Sequence, residues 1–504
     1  MSNASNLRPD PASEAVDSAR GRIGLWLGPL LAILIQLAPL PASLLESAGD
    51  EESARAAWIV LSMLVLMSVW WVTEALPIPI TSLLPLVVLP TTGVLSIAQA
   101  SAPFMHPIVV LLMGGFIVAK AIERWNLHAR IALNVVVRVG SSPTRLIGGF
   151  MAAAAILSMW ISNTATSIMM MPIAISAASE IVGRDKLDGP FTWALLLGIA
   201  WACSIGGLGT LVGTPTNLIV VGYINDNTTL SIDFAQWMLI GLPAVAVMVP
   251  VAWFVLTRWA FKIEMTETSA GRDAVLEDLR ALGPLSRPEG RTIAVFAAVA
   301  FLWIFRRQLA GVELFGVAPF ANLTDHVIAI IGVFLCFVVP SGTGRGALLD
   351  WKTAETIPWG VLLLFGGGMS LAAAITASGL STWIGGELSG IAVLPTIVLI
   401  AVVTTLVIFL TEVTSNVATA SALMPVLGAL ALSSGIEVGY LAVPLALAAS
   451  CAFMLPMATG PNAVAFATSY VSLPTMARAG LRLNLLAIAA ITALVYGLVP
   501  LILI

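Results

Sequence analysis

Two short polar segments, about half a chain apart, carry residue types that could bind ions. Residues 162–166 read Ser-Asn-Thr-Ala-Thr and residues 415–419 read Ser-Asn-Val-Ala-Thr, an offset of 253 positions (415 minus 162). Ser158 and Thr411 precede these segments at the same offset. Hydroxyl and carboxamide oxygens are ligands that hard cations prefer. Because such groups are costly inside apolar sequence unless they line a site, the two segments predict paired binding sites.

A further repeat follows each polar segment. Residues 213–217 read Gly-Thr-Pro-Thr-Asn, and residues 458–462 read Ala-Thr-Gly-Pro-Asn. Glycine and proline would unwind a helix here and free its backbone carbonyls, which could then bind a cation. One such cation site would combine Ser158, Asn163 and the Gly213 carbonyl. Its counterpart would combine the matching set of oxygens from Thr411, Thr414, Asn416 and Ala458.

The distribution of charge limits how an anion could bind beside these segments. No Lys or Arg occurs in residues 187–257 or in residues 353–477. An anion there could rest on helix N-termini, whose free N–H groups and dipoles favour negative charge. Bound cations would supply the remaining positive charge. The pattern therefore predicts an anion whose binding depends on a co-bound cation such as Na⁺.

The composition is that of a membrane protein. Apolar residues make up 59% of the 504 residues, charged residues only 10%, and the mean hydropathy is +1.00. Soluble domains have about a quarter charged residues. Apolar runs of about 20 residues, enough to span a bilayer, recur from residue 23 onward, and residues 146–180 are expected to form one span. We therefore predict an all-α polytopic fold, in which matched polar interruptions are typical of transporters.

Two further apolar stretches, residues 107–122 and 358–377, are short and rich in glycine. They share the pattern Leu-Leu-Met-Gly-Gly at residues 111–115 and Leu-Leu-Phe-Gly-Gly at residues 363–367. Short glycine-containing segments at matching places are typical of re-entrant hairpins, whose irregular backbone is tolerated when protein surrounds it. We predict that both stretches are re-entrant hairpins.

The longest polar interruption, residues 261–291, separates two halves of the chain and is rich in arginine. Basic loops remain on the cytoplasmic side, so this loop and the Arg-bearing N-terminus are predicted to be cytoplasmic. If each half contains five spans after the first helix, which is an odd number, the two halves have opposite orientations in the membrane. The C-terminus then lies outside. The predicted regions are a disordered tail, a first transmembrane helix with its connection, a first inverted repeat, a cytoplasmic loop and a second inverted repeat, at residues 1–22, 23–56, 57–260, 261–291 and 292–504.

Two carboxylates, Glu74 and Glu412, lie inside apolar sequence. Each could relay protons, since ionisable groups inside a membrane are commonly functional. Pairing with a backbone or hydroxyl group is the interpretation that we favour for both.

The motifs, taken in order, resemble those of the divalent anion/sodium symporter family. Both halves carry the Ser-Asn-Thr type of segment and the downstream Thr-Pro-Asn type of segment, and residues 71–77 read Trp-Val-Thr-Glu-Ala-Leu-Pro. The resemblance covers residues 57–504. It implies a homodimer of protomers with about 11 transmembrane helices and two re-entrant hairpins. It also implies a scaffold domain and a transport domain, which moves the substrate by an elevator-like shift.

The resemblance also implies which residues contact substrate and sodium. The residues that would contact the anion are Asn163, Thr164, Thr214, Pro215, Asn416, Val417, Thr459 and Gly460. The residues that would hold the first Na⁺ are Ser158, Ser162, Asn163 and Gly213. The residues that would hold the second Na⁺ are Thr411, Thr414, Asn416 and Ala458.

Three positions depart from the family pattern. Val417 replaces the threonine of the second motif, and Thr216 and Gly460 each replace a proline. The missing hydroxyl at Val417 removes one hydrogen-bond donor, which could cost a dicarboxylate about 1–3 kcal/mol. A compact tetrahedral dianion such as sulfate could tolerate an apolar wall at that position.

The sequence as a whole predicts a secondary active transporter of the bacterial inner membrane that couples divalent anions to inward Na⁺ movement. Four-carbon dicarboxylates such as succinate, malate and fumarate are the first expectation, sulfate is the alternative, and a Na⁺-independent exchanger is a further one. The sequence contains neither the His-Glu-x-x-His nor the Gly-x-Ser-x-Gly motif of a protease, so we predict no enzyme. A passive channel would not need paired cation sites, and a net charge of −4 does not suggest binding to nucleic acid.

Overall fold

The protein is helical along the part of the chain that its structure describes. The computed structural model describes residues 19–503 except 140–141, 264–269, 314–316, 345, 389 and 391–393, so most of the predicted tail at 1–22 lies outside it. Within these ranges, ten helices are long and apolar enough to cross a bilayer, and five shorter apolar helices accompany them. The predicted all-α polytopic fold is confirmed.

The helices are, in chain order, Ala19–Leu37, Ala42–Ala48, Glu51–Thr73, Ile78–Thr81, Pro85–Thr92, Ile97–Ser101, Pro107–Arg124, Leu127–Val139, Pro143–Ser158, Asn163–Val182, Pro190–Gly206, Pro215–Asn227, Phe234–Phe254, Ala270–Ala281, Arg287–Ala310, Asp325–Val338, Trp351–Ala354, Trp359–Ala377, Leu380–Leu388, Thr396–Thr411, Asn416–Ser433, Gly439–Ala449, Gly460–Ala467 and Leu473–Ile502.

Two compact units, each built from separate stretches of the chain, make up the fold. The first unit comprises Met1–Val109, Trp359–Pro395 and Val417–Ala442. The second unit comprises Val110–Pro358, Thr396–Asn416 and Val443–Ile504. Segments from both halves of the sequence therefore contribute to each unit.

Helix Glu51–Thr73 lies at the core of the first unit and ends in the motif that begins at Trp71. The Trp71 side chain is fully buried, and its indole N–H donates a hydrogen bond of 3.2 Å to the Ser82 hydroxyl. Glu74 ends the helix with a φ of 52°, and its carboxylate forms an ion pair of 3.1 Å with Arg20. The Glu74 carboxylate is therefore paired with a guanidinium group, and not with the backbone or hydroxyl group that we favoured.

The prediction of re-entrant hairpins at residues 107–122 and 358–377 is wrong. Both stretches lie within continuous helices, Pro107–Arg124 and Trp359–Ala377. Their glycines allow close packing of neighbouring segments, as small residues do between membrane helices. A Cβ added to Gly114 would lie 2.7 Å from the Ala329 Cβ, and a Cβ on Gly366 would overlap the Phe104 ring.

A hairpin exists instead at the first polar segment, within the stretch that we expected to form a single span at 146–180. Residues 159–162 interrupt the helix, which ends at Ser158 and starts again at Asn163. The two helices on either side of residues 159–162 have their far ends close together, since both ends pack against Gly271. A Cβ added to Gly271 would lie 2.8 Å from Ile181 Cγ1 and 3.0 Å from Leu146 Cδ2. We call this element, Pro143–Val182, the first hairpin. Gly271 belongs to helix Ala270–Ala281, inside the predicted cytoplasmic loop.

The second polar segment interrupts the chain in the same way. Helix Thr396–Thr411 ends and helix Asn416–Ser433 begins across residues 412–415. We call residues 159–162 and 412–415 the first and second breaks. Beside the first hairpin runs helix Pro190–Gly206, in which every residue from Ala194 to Gly206 is buried. This helix leads directly into the segment that carries the downstream repeat.

Candidate functional site

The first break brings together the oxygens that the sequence predicted for a cation. The Ser158 hydroxyl, fully buried, donates a hydrogen bond of 3.0 Å to Asn163 Oδ1. A Cβ added to Gly207 would lie 2.9 Å from Asn163 Oδ1 and 3.0 Å from the Gly213 carbonyl oxygen. Ser158, Asn163 and Gly213 therefore surround one small region. Ser162 precedes the new helix, but its exposed side chain makes no capping hydrogen bond.

The second break repeats this arrangement. The buried Thr411 hydroxyl donates to Asn416 Oδ1 at 2.8 Å and to the Ala449 carbonyl at 3.0 Å. Thr411 precedes Asn416 by five residues, as Ser158 precedes Asn163. The Thr414 hydroxyl donates to the Leu410 carbonyl at 2.9 Å. Ala458 is buried, and its N–H donates to the Leu455 carbonyl.

Helix Pro190–Gly206 continues into one 3-10 turn, Gly207–Gly209, after which the chain is unwound as far as Thr214. The chain is unwound again between helices Gly439–Ala449 and Gly460–Ala467, and one asparagine holds each unwound segment. The Asn217 amide donates to the carbonyls ten and seven residues earlier, Gly207 at 3.0 Å and Thr210 at 2.8 Å. The Asn462 amide does the same at identical separations, to Ala452 at 3.0 Å and Leu455 at 3.1 Å. The downstream repeat is thus a repeat of structure. Both asparagines fix the carbonyls that border the breaks.

These two anchors were not among the predicted site residues. They belong to the downstream repeat, but we assigned ion or substrate contacts only to the positions before them. The signal that could have identified them is their place, because each stands near the start of a helix that has proline at its first or second position and follows a non-helical segment. An amide at that place can satisfy carbonyls that have lost their helical partners.

Glu412 lies in the second break and is bound by backbone donors. Its carboxylate accepts hydrogen bonds from the N–H groups of Phe453, Met454 and Leu455, at 2.8 to 3.1 Å. The Asn484 amide donates a further hydrogen bond of 2.7 Å, and the Glu412 side chain is buried. The favoured interpretation, a structural pairing with a backbone or hydroxyl group, accounts for the three backbone donors, and the Asn484 amide is an additional partner. Glu412 fixes the second unwound segment against the second break.

The residues predicted to contact an anion have different surroundings in the structure. Thr164 and Gly460, from opposite halves of the sequence, meet directly, because a Cβ on Gly460 would overlap the Thr164 hydroxyl. Thr459 is engaged as a helix cap, since its hydroxyl accepts a hydrogen bond of 3.2 Å from the Asn462 N–H. Thr214, which is buried, precedes Pro215, the first residue of helix Pro215–Asn227.

Val417 has different surroundings from those of the other predicted residues. Its side chain is partly buried and packs against the hydrophobic core of the first unit, which includes Trp71 and Leu371. This packing gives a physical reason for an apolar residue at the position where the second motif departs from Ser-Asn-Thr.

The breaks and unwound segments have no basic side chain in their sequence, and apart from Glu412, whose carboxylate is bound by backbone N–H groups and the Asn484 amide, they offer neutral groups to a positive ion. Those groups are hydroxyl, carboxamide and backbone carbonyl oxygens, which suit a hard cation. Four helices begin at the same segments, at Asn163, Pro215, Asn416 and Gly460. Their N-terminal N–H groups can hold an anion without a basic side chain.

These features define an integral membrane protein with two matched, oxygen-lined interruptions of its helices. A comparison with protein families gives the class directly. The family described as "Sodium:sulfate symporter transmembrane region" matches residues 28–503, and the chain belongs to it. The family resemblance that the motifs predicted is confirmed.

Curated relatives and solved structures agree with this assignment. The chain is 40% identical to the sodium-dependent dicarboxylate transporter SdcS of Staphylococcus saprophyticus, over 95% of this chain and 91% of that protein. It is 37% identical to the protein of the same name from Staphylococcus aureus strain USA300, over 96% of this chain and 92% of that protein.

Two solved structures share the fold at 14% identity. The Alcanivorax borkumensis YdaH transporter has a TM-score of 0.55 over 88% of this chain and 97% of that chain. Neisseria gonorrhoeae MtrF has a TM-score of 0.52 over 82% of this chain and 83% of that chain. At this identity the likeness concerns the fold alone.

Proposed function

We propose that the protein is a secondary active transporter that carries divalent anions, above all four-carbon dicarboxylates, together with Na⁺. The observation that carries the proposal is the duplicated break. Each break pairs one hydroxyl with one asparagine carboxamide, beside an unwound segment that an asparagine anchors at separations of ten and seven residues. Sodium-dependent dicarboxylate transporters are also the relatives with 37–40% identity.

Sodium ions are the cargo for which the neutral oxygens are suited. A hard, weakly charged cation needs several oxygens and no thiolate or imidazole. The oxygens proposed for the first Na⁺ are those of Ser158, Ser162, Asn163 and Gly213. The oxygens proposed for the second Na⁺ are those of Thr411, Thr414, Asn416 and Ala458.

The anion is proposed to bind where the helix N-termini meet the two asparagines. Without Lys or Arg nearby, its charge would be balanced by the two sodium ions and by helix dipoles. This balance couples the fluxes, because the anion binds poorly unless the cations are already present. The residues proposed to contact the anion are Asn163, Thr164, Thr214, Pro215, Asn416, Val417, Thr459 and Gly460.

The proposal extends to the architecture that would carry the movement. Duplicated breaks fit two inverted repeats, at 57–260 and 292–504, whose breaks meet near the membrane midplane. We propose that the N-terminus lies in the cytoplasm of a bacterial cell and the C-terminus outside, a proposal that the basic loop supports through the positive-inside rule. We further propose a homodimer, in which each protomer moves a transport domain against a scaffold domain like an elevator.

Replacement of Na⁺ by choline tests the coupling. Choline is too large for a site built from hydroxyl, carboxamide and carbonyl oxygens, so uptake of labelled succinate into proteoliposomes is expected to fall at least about tenfold. The control is uptake in choline with internal succinate, which separates coupling from exchange. Full uptake under that condition would favour the Na⁺-independent exchanger and contradict symport.

Sulfate is the second candidate substrate, and Val417 is the residue that favours it. If Val417 faces the anion, Val417→Thr adds a hydrogen-bond donor with little change in volume. The expected gain for succinate is about 1 kcal/mol, or roughly fivefold in apparent affinity, with a smaller gain for sulfate. Competition by both anions would be measured at one fixed Na⁺ concentration. Equal shifts, or none, would mean that Val417 serves packing alone and that sulfate loses this support.

A further inference from the structure

A cavity of about 430 Å³ lies where three apolar helical segments end. Helix Asn163–Val182 ends there, helix Pro190–Gly206 begins there, and the segment Phe234–Ala260 stops just before the last lining residues, Lys262 and Ile263. The ends of membrane spans mark the boundary of the hydrocarbon layer. The cavity therefore lies at the level of a membrane surface, on the side of the basic loop.

The polar lining of the cavity suits a phosphate group. Lys186 and Lys262 both line it with exposed side chains, and neither has an ion-pair partner within the described ranges. The Thr192 hydroxyl, which also lines it, is fully buried and has no hydrogen-bond partner in the same part of the chain. Gly189 begins the 17-residue helix there without any side-chain cap, so the helix offers its positive end.

The remaining lining is apolar. Asp188 is not among the residues that line the cavity, and its carboxylate accepts a hydrogen bond of 3.0 Å from the Trp193 indole. The apolar side chains that line the cavity are those of Ile181, Val182, Phe191 and Ile263. A wall of this kind does not suit a free, fully hydrated anion, but it suits the chain of a lipid.

We propose that this cavity binds the phosphate group of an anionic phospholipid, with the acyl chain along the apolar wall. Lys186 and Lys262 neutralise the phosphate, and Thr192 with the start of helix Pro190–Gly206 donates hydrogen bonds to its oxygens. Basic residues close to a membrane surface attract anionic lipids in this way. The site is separate from both breaks, so it does not rest on the proposed transport function.

Lipid binding to purified, delipidated protein in an uncharged detergent tests the proposal. The ligands are dioctanoyl phosphatidylglycerol, dioctanoyl phosphatidylcholine and inorganic phosphate, with binding followed by native mass spectrometry and by the unfolding temperature. Phosphatidylglycerol is expected to bind one molecule per chain, and the double variant K186Q/K262Q to bind it at least about tenfold more weakly. The variant Thr192→Val is expected to weaken it about threefold or more.

The matched control is Lys352→Gln, which removes the same charge from an exposed lysine outside the cavity. It is expected to bind phosphatidylglycerol like the wild type. Equal binding by the wild type and the double variant would overturn the proposal, and so would equal affinity for phosphatidylcholine. Displacement of the lipid by inorganic phosphate at similar concentrations would assign the site to a soluble phosphate instead.

Discussion

Replacement of Asn163 or Asn416 by alanine is expected to reduce Na⁺-driven uptake by about a hundredfold or more. Each carboxamide oxygen accepts the hydroxyl of its partner, Ser158 at 3.0 Å or Thr411 at 2.8 Å. Each asparagine is proposed to contact a cation and the anion together, so its loss removes two interactions. About 3 kcal/mol of lost binding corresponds to a factor of more than 100.

The measurement is initial uptake of labelled succinate into proteoliposomes that contain equal amounts of each variant. Asn134→Ala is the matched control, because among the residues that the structure describes the Asn134 amide donates only to the Arg130 carbonyl on its own helix. This control is expected to transport within about twofold of the wild type. Near-normal uptake by Asn163→Ala or Asn416→Ala would remove that residue from the proposed site.

Removal of the Glu412 carboxylate is expected to destabilise the fold strongly. In Glu412→Ala, three backbone N–H groups and the Asn484 amide lose their acceptor within the protein. Each buried donor without a partner costs about 1–3 kcal/mol, so the total is expected to exceed about 3 kcal/mol. The unfolding temperature in detergent is therefore expected to fall, together with uptake.

Glu74→Ala is the control for this result. Glu74 forms a single, partly exposed ion pair with Arg20, and such pairs contribute about 0–1 kcal/mol. The variant Glu412→Gln then separates a structural role from a proton relay. A relay would lose transport at an unchanged unfolding temperature, whereas a structural acceptor loses stability and transport together. The first pattern would contradict the structural role.

The sequence predicted which polar residues come together better than it predicted the course of the chain. Ser158 with Asn163 and Thr411 with Asn416 were identified because a shared offset of 253 residues cannot arise from helix packing alone. The glycines of residues 107–122 and 358–377 led to the wrong prediction of re-entrant hairpins. Glycine is equally typical of an irregular backbone and of a close contact between helices. The residues packed against these glycines, Ala329 and Phe104, show that the close contact is the correct explanation.

Other features depended on contacts that sequence spacing does not reveal. Glu412 is recognisable as an intramembrane carboxylate, but its partners lie 41 to 72 residues further along the chain. The packing of Val417 against the first unit likewise involves residues hundreds of positions away. A local sequence pattern is compatible with more than one structure, and the contacts of the tertiary fold determine which one forms.

The oxygens proposed to hold the two sodium ions are neutral, so the anion is balanced by its co-transported cations, and their number has an electrical consequence. Because the charges of the protein return to their starting positions, the net charge that crosses the bilayer in each cycle is that of the cargo alone. A dianion with two Na⁺ carries no net charge, so membrane voltage would neither drive nor oppose its movement. Each additional cation would add about 2.3 kcal/mol of driving force for every 100 mV. The net charge measured per transported dianion would therefore give the number of Na⁺ ions transported beyond two.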